Sequence, residues 1–329
     1  MAITGLSTTR RAATAAAKGV GWLLEYMQPD GSLRGHPSLA AYYKGPCALA
    51  WSGHKEAARQ MLAYVKSRFL KPDGDLEGAG VAWLDQYQIY PHTWLACGAL
   101  ELEDAAFAQA LITFLERAWN PHSGGFRARA DGTEEIMTTS MAGIACVRAG
   151  RMDIAKGVAQ WLSRVFDAQP DLRRGLYHAW MPGSGLLEGD GAASFLVDAT
   201  KPKQWYFQYG ISAAFLADYS RIGGDSSPLL LAGRFLEASR FCQDDVYRRP
   251  QSGKIGWGAA WTWAQTKDPA QLSLVEAVVD GLCAIQCGDG SWNTEGVYED
   301  RPEGSAETRL DVTSEFVALL SQMKEVEGV

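Results

Sequence analysis

The sequence predicts an all-α protein: six helical hairpins closed into inner and outer rings, an (α/α)6 toroid. Three observations carry this. A helix-ending turn recurs six times along 329 residues, beginning at residues 22, 65, 114, 161, 235 and 282, at intervals in the forties except for one of 74. Ala/Gly-rich apolar segments alternate with amphipathic ones. The connections are short on one side of the hairpins and long on the other. A helical period in the forties means an array of coupled hairpins, because one helix pair cannot bury its own apolar face.

The first copy of the turn is WLLEYMQPDGSL, Trp22 to Leu33. Pro presets φ, Asp accepts backbone hydrogen bonds, and Gly supplies positive φ before an apolar residue returns to the core. VKSRFLKPDGDL, FLERAWNPHSGGF, WLSRVFDAQPDLRRGLY, FLEASRFCQDDVYRRPQSGKIGW and LCAIQCGDGSW follow. Helices bearing these turns, such as Glu56 to Leu70 and Asp153 to Phe166, alternate charged and apolar positions at helical spacing and form the outer ring. The inner ring comes from small-residue segments: Pro46 to Trp51, Pro91 to Leu102, Ser140 to Ala149, Tyr206 to Ser220, Gly258 to Thr266 and Val312 to Met323. Inner-to-outer links are short, as in SGHK at 52–55 and RAGR at 148–151. Outer-to-inner links are long, 28–38, 71–84, 119–136, 167–204 and 286–311, so one mouth carries the loops and is where a site is expected. The chain reads as a single domain over 1–329, with a lid-like insertion at about 167–204.

Composition limits the function. The net charge of −7 and the absence of a Lys/Arg stripe argue against nucleic acid. No apolar run is long enough for a membrane span, and no leader is evident, which makes a cytoplasmic location the expectation. The six cysteines form no CxxC pair and read as buried thiols. There is no G-x-G-x-x-G, P-loop, G-x-S-x-G or HExxH, so no nucleotide cofactor and no metal is expected.

The endings QPDGSL, KPDGDL and QCGDGSW resemble the QW-type repeats, ideally Q-x-x-D-G-S-W, of the terpenoid cyclase and protein prenyltransferase toroid superfamily. Gln286, Asp289, Gly290, Ser291 and Trp292 complete the pattern in the last copy. The resemblance implies a toroid over nearly the whole chain. It departs from the family's chemistry: no D-x-D-D aspartate motif and no Asp/Cys/His zinc arrangement occurs.

A second repetition marks the loop-bearing mouth. YYKGP (42–46), YQIYP (87–91) and YFQYG (206–210) place Tyr42, Tyr87 and Tyr206 four residues before a Pro or Gly, with Tyr43, Tyr90 and Tyr209 beside them. They read either as aromatic braces or as a phenolic wall that binds ligand and relays protons. His92 and Cys47 each follow an inner-helix Pro, where the helix dipole lowers both pKa values. Asp85, seven residues before His92, either caps the helix or orients the imidazole as an acid–base partner. His36 and His178 lie in long connections on that mouth, with Gln208, Trp257, Trp261 and Glu315 as further ligand contacts. Glu188, Asp190, Glu307 and Asp311 are acidic candidates with a solvated or capping alternative.

The leading expectation is a cofactor-independent lyase, isomerase or cyclase with His92, Asp85, Tyr42 and Tyr206 as catalytic groups. Its partner is a small, largely apolar or aromatic substrate of terpenoid or polyketide type. One alternative is a carbohydrate-active toroid using Glu188, Asp190 and Trp180. The other is a non-catalytic binding module.

Overall fold

The computed structural model describes residues 2–78, 89–189, 194–293 and 305–324, with side chains from Thr8 onward. Twelve α-helices stand among these residues. They are α1 (Ala2–Tyr26), α2 (Gly45–Trp51), α3 (Lys55–Phe69), α4 (Tyr90–Glu101), α5 (Ala105–Glu116) and α6 (Ile136–Arg148), then α7 (Met152–Asp167), α8 (Phe207–Gly223), α9 (Pro228–Ala238), α10 (Gly253–Thr266), α11 (Pro269–Ala284) and α12 (Ala306–Met323). Their burial alternates as expected. Every residue of α4 from Tyr90 to Ala99 is buried, whereas α7 buries only the stripe Ile154, Ala155, Val158, Trp161, Leu162, Val165 and Phe166. An all-round buried helix belongs to an inner layer and a striped one to an outer layer.

The chain forms two compact units, Met1–Arg117 with Val279–Val329, and Ala118–Val278. In the first, the last helix α12 lies against both α1 and α2, so the two ends of the chain meet. In the second, α8 lies between α6 and α10, with α9 against it.

The recurring turn is built as its sequence requires. Antiparallel bridges Met27↔Leu33, Leu70↔Leu76, Trp119↔Phe126 and Gln286↔Trp292 close four copies. Asp30 and Asp289 each accept the backbone N–H two residues on, at 2.9 and 3.0 Å. The apolar exit residue then donates its N–H to a hydroxyl on, or just ahead of, an inner helix: Leu33 to Tyr42 at 2.8 Å, Phe126 to Thr139 at 3.0 Å, Trp292 to Thr313 at 3.1 Å. Turn glycines with positive φ let each loop touch the backbone of an adjoining outer helix. A Cβ at Gly74 would lie 2.6 Å from the Ala110 carbonyl oxygen, and one at Gly290 would lie 2.5 Å from that of Lys18 in α1.

Gly290→Ala therefore meets two penalties, a strained φ and a backbone collision, and is expected to cost roughly 2–4 kcal/mol in urea unfolding. Gly35, with φ +79° and open space around it, carries the strain alone. Gly35→Ala should cost only about 1–2 kcal/mol; equal losses at both sites would refute the collision.

The structure departs from the sequence reading in three places. The inner helices α6, α10 and α12 begin earlier than Ser140, Gly258 and Val312; α12 starts where the Ser305 hydroxyl accepts the Thr308 N–H at 3.1 Å. The copy at 235 has no Asp-Gly turn and runs instead through short 3-10 helices, Ser239–Phe241, Asp244–Tyr247 and Pro250–Ser252. The segment after α7 carries short strands, β2 (Gly175–Tyr177), β3 (Ala179–Met181), β4 (Gly185–Leu186) and β5 (Leu196–Asp198), beside β1 (Glu134–Glu135) ahead of α6. They make the antiparallel sheets β1-β3-β4 and β2-β5. Two- and three-residue strands are too short to show an alternating pattern. Among the described residues no helix is long and apolar enough to cross a membrane.

Candidate active site

In the first unit the expected groups divide between a frame and a buried ionic cluster. Tyr42 accepts the Leu33 N–H and donates to the His36 carbonyl at 2.7 Å, its ring stacked on Tyr64 at 5.1 Å. Burial raises its pKa, so the phenol stays protonated and holds the first turn. His36 is half-buried beside Tyr26, and Cys47 is buried in α2. Asp85 and Tyr87 lie outside the described residues.

His92 stacks on Phe114 at 4.4 Å, and its Nε2 lies 3.2 Å from Asp75 Oδ1 in the repeated turn. The imidazole contact, with a hydrogen bond from Lys71, holds the Asp75 carboxyl well below its usual range despite partial burial. A depressed carboxylate contributes stability that is present above its unfolded pKa and lost as pH falls. Asp75→Asn should thus cost about 1 kcal/mol at pH 7, limited by exposure. The gap from the parent should close as pH drops below about 4 in acid titrations of thermal stability.

The ionic cluster joins α2 to α12. Lys44, 5% exposed, lies 2.8 Å from Asp311 Oδ1 and also contacts Glu315, one helical turn further along α12. Its ammonium sits 5.1 Å from the centre of the Tyr43 ring, which meets Tyr90 edge-on at 6.0 Å. Burial raises the Tyr90 pKa.

The second unit holds the denser arrangement. Strand alternation sends Glu134 and Glu135 to opposite sides. Glu134 accepts hydrogen bonds from Trp161 Nε1 at 2.7 Å, Asn120 Nδ2 at 3.1 Å and Ser123 Oγ, which ties β1 to α7. Glu135, fully buried, takes the Arg129 Nε–H on Oε1 at 2.7 Å. Its Oε2 has no hydrogen bond among the described residues and lies 3.9 Å from His178 Nδ1. Burial raises the Glu135 pKa, with Arg129 opposing. Burial, helped by the Arg129 charge, lowers that of His178 to about 3, so the imidazole is neutral.

The backbone fixes this pair. His178 donates its N–H to Phe195 O at 2.8 Å and accepts the first N–H of α6, from Ile136, at 2.9 Å. Phe195 and Trp205 flank the imidazole at 6.0 and 5.9 Å; Trp205 stacks on Phe207, and the buried Lys254 ammonium lies 5.3 Å from the Phe207 ring. Gln208, beside Phe207, is buried, and neither of its amide atoms has a hydrogen-bond partner among the described residues. Tyr206 donates to Asp245 Oδ1 at 2.6 Å, and Tyr209 accepts from Cys242 Sγ at 3.6 Å; burial raises both phenol pKa values. Trp257 is buried and T-shaped on Trp261 at 4.9 Å, under the Arg148 guanidinium, which lies 5.2 Å from the Trp261 ring. Among the described residues no three His, Cys, Asp or Glu side chains gather closely enough to hold a metal.

Of the expected residues, the structure thus collects Tyr43, Tyr90, Asp311 and Glu315 in one cluster and His178 in the other. Sequence reasoning passed over Arg129, Glu135, Lys44 and Lys254. The available signal was charge beside an inner-helix start, in TEEIMTT, YYKGP and SGKIGW.

No protein-family model matches the sequence, and no curated protein matches it. Solved structures match in architecture. A family 76 α-1,6-mannanase from a Salegentibacter species, an inactive double-aspartate variant in complex with mannotetraose, aligns with TM-score 0.68 at 12% identity, covering 96% of this chain and 99% of that one. A type II terpene cyclase variant from Scytonema, in complex with geranylgeranyl dihydroxybenzoate, aligns with TM-score 0.60 at 13% identity, over 98% and 99%. A possible family 105 member from Salmonella enterica gives 0.62 at 13%, over 96% and 94%. These are α/α toroids. The fold is the α/α toroid. In a toroid each inner helix is followed by an outer helix that returns, so successive inner helices run the same way. Glu135 and Gln208 accordingly stand at corresponding ends of α6 and α8.

Proposed function

We propose that this toroid is an enzyme acting by general acid–base catalysis on a small molecule, a lyase, isomerase or cyclase whose reacting pair is Glu135 and His178. The observation that carries this reading is their pairing: two buried groups 3.9 Å apart, with Glu135 Oε2 making no hydrogen bond among the described residues. Arg129 holds Glu135 ready as a base, while the neutral imidazole offers a hydrogen bond to an adjacent carbonyl. A carboxylate base beside a neutral imidazole suits proton removal next to a carbonyl. The aromatic wall of Phe195, Trp205 and Phe207 favours a flat or apolar substrate body. His92, Tyr42 and Tyr206, bonded to Asp75, the first turn and Asp245, serve in this reading as the frame.

Glycoside hydrolysis usually needs two carboxylates about 5–9.5 Å apart. Glu134 does not supply the second, since three donors occupy it on the opposite side. A carbohydrate reading rests instead on Asp311 and Glu315, which meet at Lys44, and on the mannanases among the similar folds. Turnover in deuterium oxide separates the two. Panels of polyprenylated aromatics and α-1,6-manno-oligosaccharides would be incubated and the products examined by mass spectrometry and NMR. Acid–base chemistry at carbon places deuterium on carbon; glycoside cleavage without carbon-bound deuterium would refute the proposal.

A further inference from the structure

Gln208 follows Phe207 of the aromatic wall and is itself buried. A buried amide with neither bond made is unfavourable, and native proteins keep few such groups. Its direction follows from its helix. Two residues on, Gly210 lies against the Lys254 backbone in α10. Residues two apart on a helix point about 200° apart, so Gln208 faces away from α10. Phe215, seven residues further, shares the Gln208 stripe, and its ring lies against Gly143 of α6, 2.6 Å from where a Cβ there would stand. The stripe therefore faces α6.

That contact also sets the level. The two helices run the same way, and seven residues before Phe215 is Gln208, while seven before Gly143 is Ile136, next to Glu135. Thr138, in the first turn of α6, adds a buried hydroxyl that also has no hydrogen-bond partner among the described residues. The Phe207–Trp205–His178 ring series links the amide to the reacting pair.

We infer that Gln208 is the positioning residue of the Glu135–His178 site, an inference that rests on the function proposed above. It forms two hydrogen bonds to a neutral substrate group carrying donor and acceptor side by side, as a carboxamide or lactam does. An uncharged amide offers one of each, and the nearby Arg129 charge is already matched by Glu135. A polar group built to receive a partner discriminates strongly against an analogue that lacks it.

Gln208→Leu and Gln208→Met in the full chain test this, using benzamide and α-methylstyrene, an apolar analogue of nearly the same shape, as probes. Without ligand, at least one variant should melt about 2 °C or more above the parent, because the unmade bonds are gone. By ligand-observed NMR the parent should bind benzamide about tenfold or more tighter than α-methylstyrene, and both variants should lose that preference. Lower melting of both variants, or equal binding of the two probes by the parent, overturns the inference. Full turnover by Glu135→Gln with the benzamide preference intact would instead remove the catalytic reading and leave the binding group standing.

Discussion

Glu135→Gln is expected to lower turnover by roughly 10²–10⁴-fold, the usual range for losing a positioned general base. The substitution keeps the shape of the side chain and an oxygen for Arg129 Nε, so circular dichroism should match the parent. What it removes is the basic lone pair of Oε2, the atom facing His178. The parent's rate should rise with pH and level off above the Glu135 pKa, with its midpoint above the ordinary value of about 4.3, because burial pushes this carboxyl up. Stability should run the other way. A folded-state pKa above the unfolded one contributes stability that is present at low pH and lost as pH rises through the raised pKa. The Gln variant lacks that dependence, so its melting temperature should fall less between pH 4 and 7. A variant that keeps at least a third of parental turnover at all pH values would exclude Glu135 as the base.

The frame was legible because its instructions are local. Gln28 to Leu33 and Gln286 to Trp292 each contain the turn, the capping carboxylate and the returning apolar residue within seven positions or fewer. Helix layers were legible from burial periodicity, and the twelve helices follow it. The proposed site was legible only in His178 and Gln208, because its other parts come from separate stretches: Arg129, Glu135 and Trp205 come to His178 only through β1, β3 and the loops beside them. A two-residue strand decides that Glu135, and not Glu134, faces the imidazole, and no periodicity reveals that. Tyr42 and Tyr206 show the opposite case. Their recurrence was visible in the sequence, but their roles depend on partners, the Leu33–His36 turn and Asp245, that only the fold supplies.

Lys44→Met should produce the largest stability loss, about 3–5 kcal/mol, the range for removing one partner of a buried ion pair. Lys44 is 5% exposed and Asp311 3%, so water does little to screen the carboxylates once the ammonium is gone. Met fills much of the volume, which makes the loss electrostatic and not a cavity. The location amplifies it, because this cluster fastens α12, the last helix, to α2, the first inner one. In the variant the two carboxylates lose the buried ammonium they share. Adding Asp311→Asn and Glu315→Gln to Lys44→Met should recover most of the loss at pH 7, as buried charge triads replaced together are often close to neutral. Urea unfolding of the single and triple variants at pH 7 measures both. A deficit that persists in the triple variant would mean the lysine works through its methylene stem and its contact with Tyr43 and not through its charge.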